Sequence, residues 1–372
     1  MLASPLVSVD TESDSLFSYS EKICLVQFSL PDADYIVDPL TTYSLEPLAA
    51  VFASPAVEKV FHGADYDLVS LKRGYGFHFS NIFDTMVAAR ILGRKTTGLA
   101  ALVAEHMGLL MDKSQQRSDW GRRPLSREQL AYACHDTRYL IALRDHLLAE
   151  LRQAGREQEA REAFAELENL EPRTRIFDAD AFWNIKGARA LDNTGLQMLR
   201  ALYRWREDQA RSEDRPVFKV ISDKTLVAIA HERPPSLQAL QHGHILSSYQ
   251  VTRYGYPVVD LINKARHNSE RLQQPRPRRG GNRPDETTLA LYESLRAWRK
   301  ERAAVRGVEP DVIVSNDVLM TLANQRPRTP ADLEAIAGLG DWRRGEYGDD
   351  ILALINSIVK GTEKGTEKGK RE

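Results

Sequence analysis

Four carboxylates and one tyrosine in the first half of the chain have the types and spacing that metal-dependent chemistry requires. Asp10 and Glu12 stand two residues apart after the apolar run 6–9, and side chains two apart on a strand share one face. Buried carboxylates are costly unless they are paired or bind a cation. The two acids could therefore hold one metal ion, although a solvated turn explains the same tripeptide by itself.

Two further acids and a tyrosine are equally ambiguous when each is taken alone. Asp67 follows His62 in a strand–turn–helix segment, where the helix dipole favours an acid in the first turn. Tyr132 and Asp136 are four residues apart and share one face of a predicted helix. A tyrosine–carboxylate hydrogen bond explains this pair, and so does a metal ligand with a phenol over the water that it activates.

The elements that position these residues are typical of an α/β domain. Three apolar runs joined by turn residues predict a mostly antiparallel meander, and a fourth strand alternates with helices after it. The predicted strands are 6–9, 23–28, 35–38 and 57–61, and the predicted helices are 45–52, 65–74, 86–92 and 98–107. Asp84 is expected to cap the third of these helices, and Ser126 to cap the later helix that carries Tyr132.

A polar, basic segment at 112–124 lies between the fourth helix and the tyrosine helix. It contains Lys113, Gln116, Trp120 and Arg123. A loop of this composition either lies along a phosphate backbone or is simply solvated, and the residues alone leave both interpretations open.

Composition excludes several classes of protein. With 42% hydrophobic and 28% charged residues, the 372-residue chain is typical of two or three globular domains. Two cysteines cannot form a disulfide framework, so we expect a reducing, cytoplasmic location. We expect no membrane span and no leader peptide, because no apolar run approaches the required length of roughly 20 residues.

The net charge of −1 hides a division along the chain. Residues 1–170 carry 17 Lys and Arg against 24 Asp and Glu, residues 171–284 carry 20 against 12, and residues 285–372 carry 14 against 16. An acidic first part joined to a basic middle part indicates that catalysis and polyanion binding are divided between them.

The C-terminal half repeats itself at a constant offset of 93 residues. Trp205 recurs as Trp298, and Tyr254 recurs as Tyr347, each with the same following residue. Self-similarity at a fixed period indicates two copies of one structural unit, and both copies have helical patterns. We expect both tryptophans to be core residues and not platforms for stacked bases.

Taken together, the three acidic motifs resemble those of the DEDDy branch of 3′–5′ exonucleases, and the order of elements resembles the ribonuclease H-like fold. The repeats resemble tandem HRDC domains, which makes the chain similar to the ribonuclease D family. The motifs that carry the resemblance are Asp10-x-Glu12, His62-x4-Asp67 and Tyr132-x3-Asp136.

The resemblance implies a 3′–5′ exoribonuclease that releases nucleoside 5′-monophosphates by a two-metal mechanism. Asp10, Glu12 and Asp136 would hold one Mg²⁺ or Mn²⁺ ion, and Asp67 would support a second ion that Asp10 bridges. Tyr132 would orient the attacking water. The implied partner is RNA with a 3′ end, such as a tRNA precursor, bound by a monomer through Thr11, His62, Lys113, Gln116, Trp120 and Arg123.

Two departures from the family pattern affect these expectations. Ser13 stands where bacterial relatives often have an aromatic residue that grips the terminal base, although Leu16 or Phe17 could substitute. The first strand begins almost at the N-terminus, where the family usually has a helix. The alternatives are a DEDDy exonuclease that acts on DNA and a non-catalytic RNA-binding protein with the same fold.

The expected domain order places catalysis first and RNA backbone binding mainly in the first repeat and the basic linker. The expected segments are an exonuclease domain at 1–150, a helical connector at 151–190, HRDC domains at 191–272 and 285–361, a linker at 273–284 and a disordered tail at 362–372.

Overall fold

The structure is a computed structural model of the chain. It describes residues 1–42, 44–172, 176–243, 245–268, 270–273 and 285–368, with the backbone alone for 361–368.

A five-stranded mixed sheet forms the centre of the N-terminal domain. Its order is β3-β2-β1-β4-β5, with β1 in the middle. The first three strands pair antiparallel, as predicted, and β4 and β5 run parallel to β1. The strands are β1 (Leu6–Ser13), β2 (Ile23–Ser29), β3 (Asp34–Val37), β4 (Glu58–Phe61) and β5 (Ile82–Asp84), of which β5 was not predicted.

Helices cover both faces of this sheet. Val7 and Val9 face one side, in a core with α1 and α2, whereas Ser8 faces the other side, where its hydroxyl donates to the Thr137 carbonyl on α5 at 2.9 Å. Asp10 alternates with Val9 and so lies on the α5 side. The helices are α1 (Pro47–Ala53), α2 (Asp65–Tyr75), α3 (Thr85–Ile91), α4 (Leu99–Met107), α5 (Arg127–Arg138), α6 (Leu140–Gln153) and α7 (Glu157–Glu168).

Local capping follows the sequence at two of these helices. Asp84 accepts hydrogen bonds from the backbone N–H groups of Met86 and Val87 and so caps α3. Ser126 forms a capping box with Gln129 at the start of α5. Both predicted caps are confirmed.

The segment predicted as a connector between domains is in part a component of the first domain. Phe164 of α7 packs on Phe83 of β5 within the core of that domain.

The repeats fold into two similar five-helix domains. The first has α8 (Asn193–Ser212), α9 (Val217–Val220), α10 (Asp223–Glu232), α11 (Leu237–His242) and α12 (Ser248–Arg266). The second has α13 (Glu286–Arg306), α14 (Pro310–Ile313), α15 (Asn316–Gln325), α16 (Pro330–Glu334) and α17 (Asp341–Lys368). Short 3₁₀ helices at Ala181–Asn184 and Ala188–Ala190 precede the first domain.

Equivalent side chains make equivalent contacts in the two copies. The rings of Trp205 and Tyr254 lie 5.7 Å apart, as do those of Trp298 and Tyr347. Both tryptophans pack against their domain cores, as predicted. The linker prediction at 274–284 lies outside the described residues. The predicted disorder of the tail is wrong for 362–368, where α17 continues, and 369–372 are not described.

Both repeats contact the first domain. In the second copy, Arg306 pairs with Glu159 at 2.5 Å, and Arg343 pairs with Glu162 at 3.1 Å. In the first copy, Glu207 accepts a hydrogen bond from the Tyr19 hydroxyl at 2.7 Å. No helix in the described residues is long and apolar enough to cross a membrane.

Candidate active site

Three carboxylates from two elements meet at the end of the central strand. Asp10 and Glu12 come from β1, and Asp136 comes from α5. One carboxylate oxygen from each of these three residues lies within 4.8 Å of the other two oxygens. Within the described part of the chain, this is the one group of three or more such side chains that could hold a metal ion.

Hydrogen bonds to the sheet fix the position of α5. Thr137, the residue after Asp136, has its carbonyl bonded to Ser8 on β1, and its hydroxyl lies 2.7 Å from that of Ser29 on β2. Since these groups are buried, the bonds are costly to break. They therefore hold Asp136 against the end of β1.

Asp67 supplies a fourth carboxylate from the first turn of α2. Thr11 donates a hydrogen bond to it from β1, between the two acidic positions of the strand. Asp84 fixes the start of α2, because its carboxylate accepts from the Ala64 N–H at 2.6 Å. Burial, and then the charge on Asp10, raise the pKa of Asp67 well above its ordinary value.

The clustered carboxylates are difficult to ionise together without a cation. Burial and then the charge on Asp136 raise the pKa of Asp10 to about 8. Burial and then Asp10, Asp136 and Asp67 raise the pKa of Glu12 to about 10. Burial raises the pKa of Asp136 to about 7. Because a divalent cation favours the charged forms of nearby carboxyl groups, this set fits a metal site.

Tyr132 lies one helical turn before Asp136 on α5, so the phenol and the carboxylate share one face of the helix. Burial and then the charge on Asp136 raise the pKa of the phenol above its ordinary value. The hydroxyl therefore stays protonated at neutral pH and can donate or accept a hydrogen bond, but it cannot serve as a strong base. Its ring packs 6.0 Å from that of the buried Trp120.

A cleft of about 360 Å³ opens over these residues. Among the residues that line it are four of the predicted substrate contacts, Thr11, His62, Lys113 and Gln116. His62 Nδ1 lies 2.9 Å from the Thr85 hydroxyl. Burial lowers the pKa of His62 to about 4, so the ring is neutral at physiological pH. Of these four residues, Lys113 alone brings positive charge to the cleft.

The other two predicted contacts have structural roles. Arg123 forms a bidentate pair with Asp38, with both nitrogen–oxygen distances at 2.7 Å, and also donates to the backbone carbonyls of Cys24 and Trp120. The five N–H donors of Arg123 are all used within the protein, which argues against the predicted phosphate contact. Trp120 is buried against Tyr132, which argues against stacking with a base, although it lines part of a smaller cleft.

A smaller cleft of about 150 Å³ adjoins the first and shares Thr11, Glu12 and Gln116 with it. Leu16 and Phe17 line this smaller cleft. Tyr66, which the sequence analysis did not select, also lines it, and its hydroxyl lies 3.1 Å from that of Ser13. Its position directly before Asp67 was the one signal in the sequence that could have found it.

Comparisons with known proteins match the domains one by one. Residues 1–152 match the family described as 3′–5′ exonuclease, and residues 195–262 and 288–355 each match the HRDC domain. Ribonuclease D of Granulibacter bethesdensis is 31% identical over 95% of this chain and 88% of its own length. Ribonuclease D of Gluconacetobacter diazotrophicus is 32% identical over 94% of this chain and 87% of its own length.

Solved structures have the same architecture. The catalytic core of RRP6 from Trypanosoma brucei is 26% identical, with a TM-score of 0.65 over 72% of this chain and 76% of that chain. Escherichia coli RNase D, described as an exoribonuclease involved in structured RNA processing, is 22% identical. Its TM-score is 0.59 over 95% of this chain and 94% of that chain, which supports the fold.

Proposed function

The chain belongs to the ribonuclease D family of 3′–5′ exoribonucleases, and from this premise we propose that it matures the 3′ ends of tRNA precursors with two divalent cations in the acidic cleft. The observation that carries the metal proposal is the convergence of Asp10, Glu12 and Asp136 within 4.8 Å.

The donor set fits Mg²⁺ or Mn²⁺. Hard divalent cations prefer oxygen ligands, and the three converging side chains supply carboxylate oxygens only. In the proposed arrangement Asp10, Glu12 and Asp136 would hold one ion, and Asp67 together with Asp10 would hold a second. When bound, such a pair activates a water and stabilises charge on the attacking and leaving oxygens.

The chain's own groups orient the reactants in this proposal. Tyr132, on the same face of α5 as Asp136, keeps its proton and positions the attacking water. Thr11 orients Asp67. Lys113 and Gln116 at the cleft wall contact the terminal phosphate and sugar. The neutral ring of His62 contributes a hydrogen bond and no charge.

The substrate proposal rests on the relatives and on the charge of the first repeat. Residues 191–272 carry 12 Lys and Arg against nine Asp and Glu, whereas residues 285–361 carry 10 against 13. We assign RNA backbone binding to the first repeat for this reason. We further propose that the protein acts as a monomer in the cytoplasm, a location that its two free cysteines support.

Decay of a 5′-labelled tRNA precursor with Mg²⁺ or Mn²⁺ tests this function. Wild type is expected to shorten the RNA stepwise from its 3′ end, and a 3′-labelled copy to release labelled nucleoside 5′-monophosphate. Asp67→Asn should abolish shortening. Asp112→Asn is the matched control, because Asp112 lines the same cleft but is exposed.

Two further measurements separate the parts of the proposal. Calorimetry with Mn²⁺ should give two sites per chain in wild type and one in Asp67→Asn. RNA should be cut faster than DNA of equal sequence, and the tRNA precursor faster than an unstructured RNA of equal length. If neither ion supports shortening while RNA still binds, the enzymatic function is refuted and a binding role replaces it.

A further inference from the structure

The two HRDC copies differ sharply on one surface. Four positions in α9 and the first half of α12 are aromatic or basic in the first copy, and three of the four are acidic at the equivalent positions of the second. Written with the 93-residue offset, the pairs are Phe218 and Asp311, Tyr249 and Trp342, Arg253 and Glu346, and Tyr256 and Asp349.

The three aromatic side chains in the first copy are exposed. Phe218 is 53% exposed, Tyr249 is 56% exposed and Tyr256 is 76% exposed. Tyr249, Arg253 and Tyr256 are spaced by four and three residues, so they share one face of α12. The side-chain amide of Gln250 donates to the last carbonyl of α9 at 2.9 Å, which places the two helices side by side. We call these four residues the α9–α12 surface.

The surface is held in place by its neighbours. The Arg215 guanidinium lies over the Tyr249 ring, 5.8 Å from its centre, and donates to the Tyr249 hydroxyl at 2.9 Å. Glu213 accepts two hydrogen bonds from Arg253, at 2.8 and 3.0 Å. A rigid ring beside a fixed cation loses little conformational entropy when a planar ligand stacks on it.

The same segment of the first copy reaches the active-site domain. Asp214, directly after Glu213, accepts a hydrogen bond from the Tyr19 N–H at 3.0 Å, and the Lys219 ammonium lies 3.9 Å from the centre of the Phe17 ring. A cavity of about 600 Å³ lies between the two domains here, lined in part by Ser15 and Phe218.

This cavity links the surface to the catalytic carboxylates. Ser15 also lines the smaller cleft beside the active site, and that cleft in turn shares Thr11 and Glu12 with the catalytic cleft. Adjoining clefts therefore extend from Phe218, one residue of the α9–α12 surface, to the catalytic carboxylates.

The second copy uses its equivalent positions differently. Asp311 pairs with Arg90 of the first domain at 2.5 Å, and the backbone N–H of Trp342 donates to the Glu162 carboxylate at 2.6 Å. Glu346 and Asp349 are exposed carboxylates, which repel phosphate. At these positions the second copy contacts the first domain, whereas the first copy presents exposed aromatic rings beside Arg253.

We propose that the α9–α12 surface binds the single-stranded RNA segment upstream of the terminal nucleotide, by stacking bases on Phe218, Tyr249 and Tyr256. Arg253 contributes cationic contact. Stacking of this kind is independent of sequence, because every base has a π-face. The inference rests on the proposed function, since it takes RNA as the substrate and the cleft as the site of its 3′ end.

The test compares two full-length variants with wild type. One carries Tyr249→Ala and Tyr256→Ala, and the other carries Arg253→Glu and Tyr256→Asp, which are the residues of the second copy. Tyr35→Ala is the matched control, because Tyr35 is 46% exposed on β3 and lines none of these clefts. Binding of a fluorescent single-stranded 20-mer is measured by anisotropy, with Asp67→Asn added to every protein to prevent cleavage.

Loss of two stacked bases should weaken binding of the 20-mer about 30-fold or more relative to the control, and loss of one stacked base together with reversal of the Arg253 charge should weaken it at least about 10-fold. In proteins with Asp67 intact, the ratio of kcat/KM for the 20-mer to that for a dinucleotide should fall by a similar factor. Equal affinity of variants and control, or an unchanged ratio, overturns the inference. Hydrolysis of the dinucleotide by wild type tests the proposed function separately.

Discussion

Replacing Asp10 by asparagine should stabilise the metal-free protein at alkaline pH. In the folded protein the pKa of Asp10 rises from 3.8 to about 8, chiefly through burial. Between these values the folded state keeps a proton that the unfolded chain has released. The free energy of unfolding of the metal-free protein therefore falls as pH rises through this window. Asparagine has the same size and no charge to bury.

The expected magnitude follows from the pKa shift. One pKa unit corresponds to about 1.4 kcal/mol. The rise from 3.8 to about 8 thus makes ionisation of this one carboxyl group cost up to about 5 kcal/mol of folding free energy at pH 8. At pH 5 the same relation leaves less than about 2 kcal/mol. Asp10→Asn should therefore gain several times more stability at pH 8 than at pH 5.

Urea unfolding in EDTA at pH 5, 6.5 and 8 measures this difference. The control is Asp112→Asn. Hydrogen bonds donated by Ser114 lower the pKa of Asp112, so removal of this carboxylate should give no gain in stability at pH 8. Mn²⁺ at pH 8 should stabilise wild type and have much less effect on Asp10→Asn. If the free energy of unfolding of wild type and of Asp10→Asn varies with pH in the same way, ionisation of Asp10 does not destabilise the metal-free protein and the reasoning is refuted.

Four other substitutions test separate parts of the structure. Tyr132→Phe should lower kcat by roughly 100-fold or more, because it removes the hydroxyl that is proposed to orient the attacking water. Calorimetry with Mn²⁺ should still give two sites in this variant. A near-normal kcat would contradict this role of Tyr132. Gln27→Met should stabilise the protein in urea by about 1 kcal/mol, because both polar atoms of this fully buried amide are without a partner; a loss of stability would show that the amide is bonded in solution. Arg123→Ala should destabilise the protein by about 2 kcal/mol and leave the salt dependence of RNA binding unchanged. Lys113→Ala should reduce the slope of log affinity against log salt concentration by about one. A smaller slope for Arg123→Ala would show that Arg123 does contact phosphate.

The sequence indicated the carboxylate cluster because its signals are local. Asp10 and Glu12 share a strand face, and Tyr132 and Asp136 share a helix face, so secondary structure alone orients each pair. The capping roles of Asp84 and Ser126 also depend on a few neighbouring residues, and the structure confirms both. The fold followed from the same periodic patterns.

The substrate contacts were predicted less well, because their roles depend on distant partners. Lys113 and Arg123 lie in one basic loop and look alike in sequence. Asp38, 85 residues earlier in the chain, pairs with Arg123 and leaves Lys113 at the cleft. Tyr66 was missed for the same reason, since its partner Ser13 lies on another element.

The sequence by itself determined which chemistry is available and that one helical domain is duplicated, because motif spacing and a fixed 93-residue offset can be recognised along the chain. Tertiary structure alone decided how the two copies use equivalent positions. Asp311 of the second copy pairs with Arg90 of the first domain, whereas Phe218, at the equivalent position of the first copy, is exposed. The physical reason is that the partners of these side chains lie far away along the chain, so no local pattern shows which of them remain accessible to a ligand.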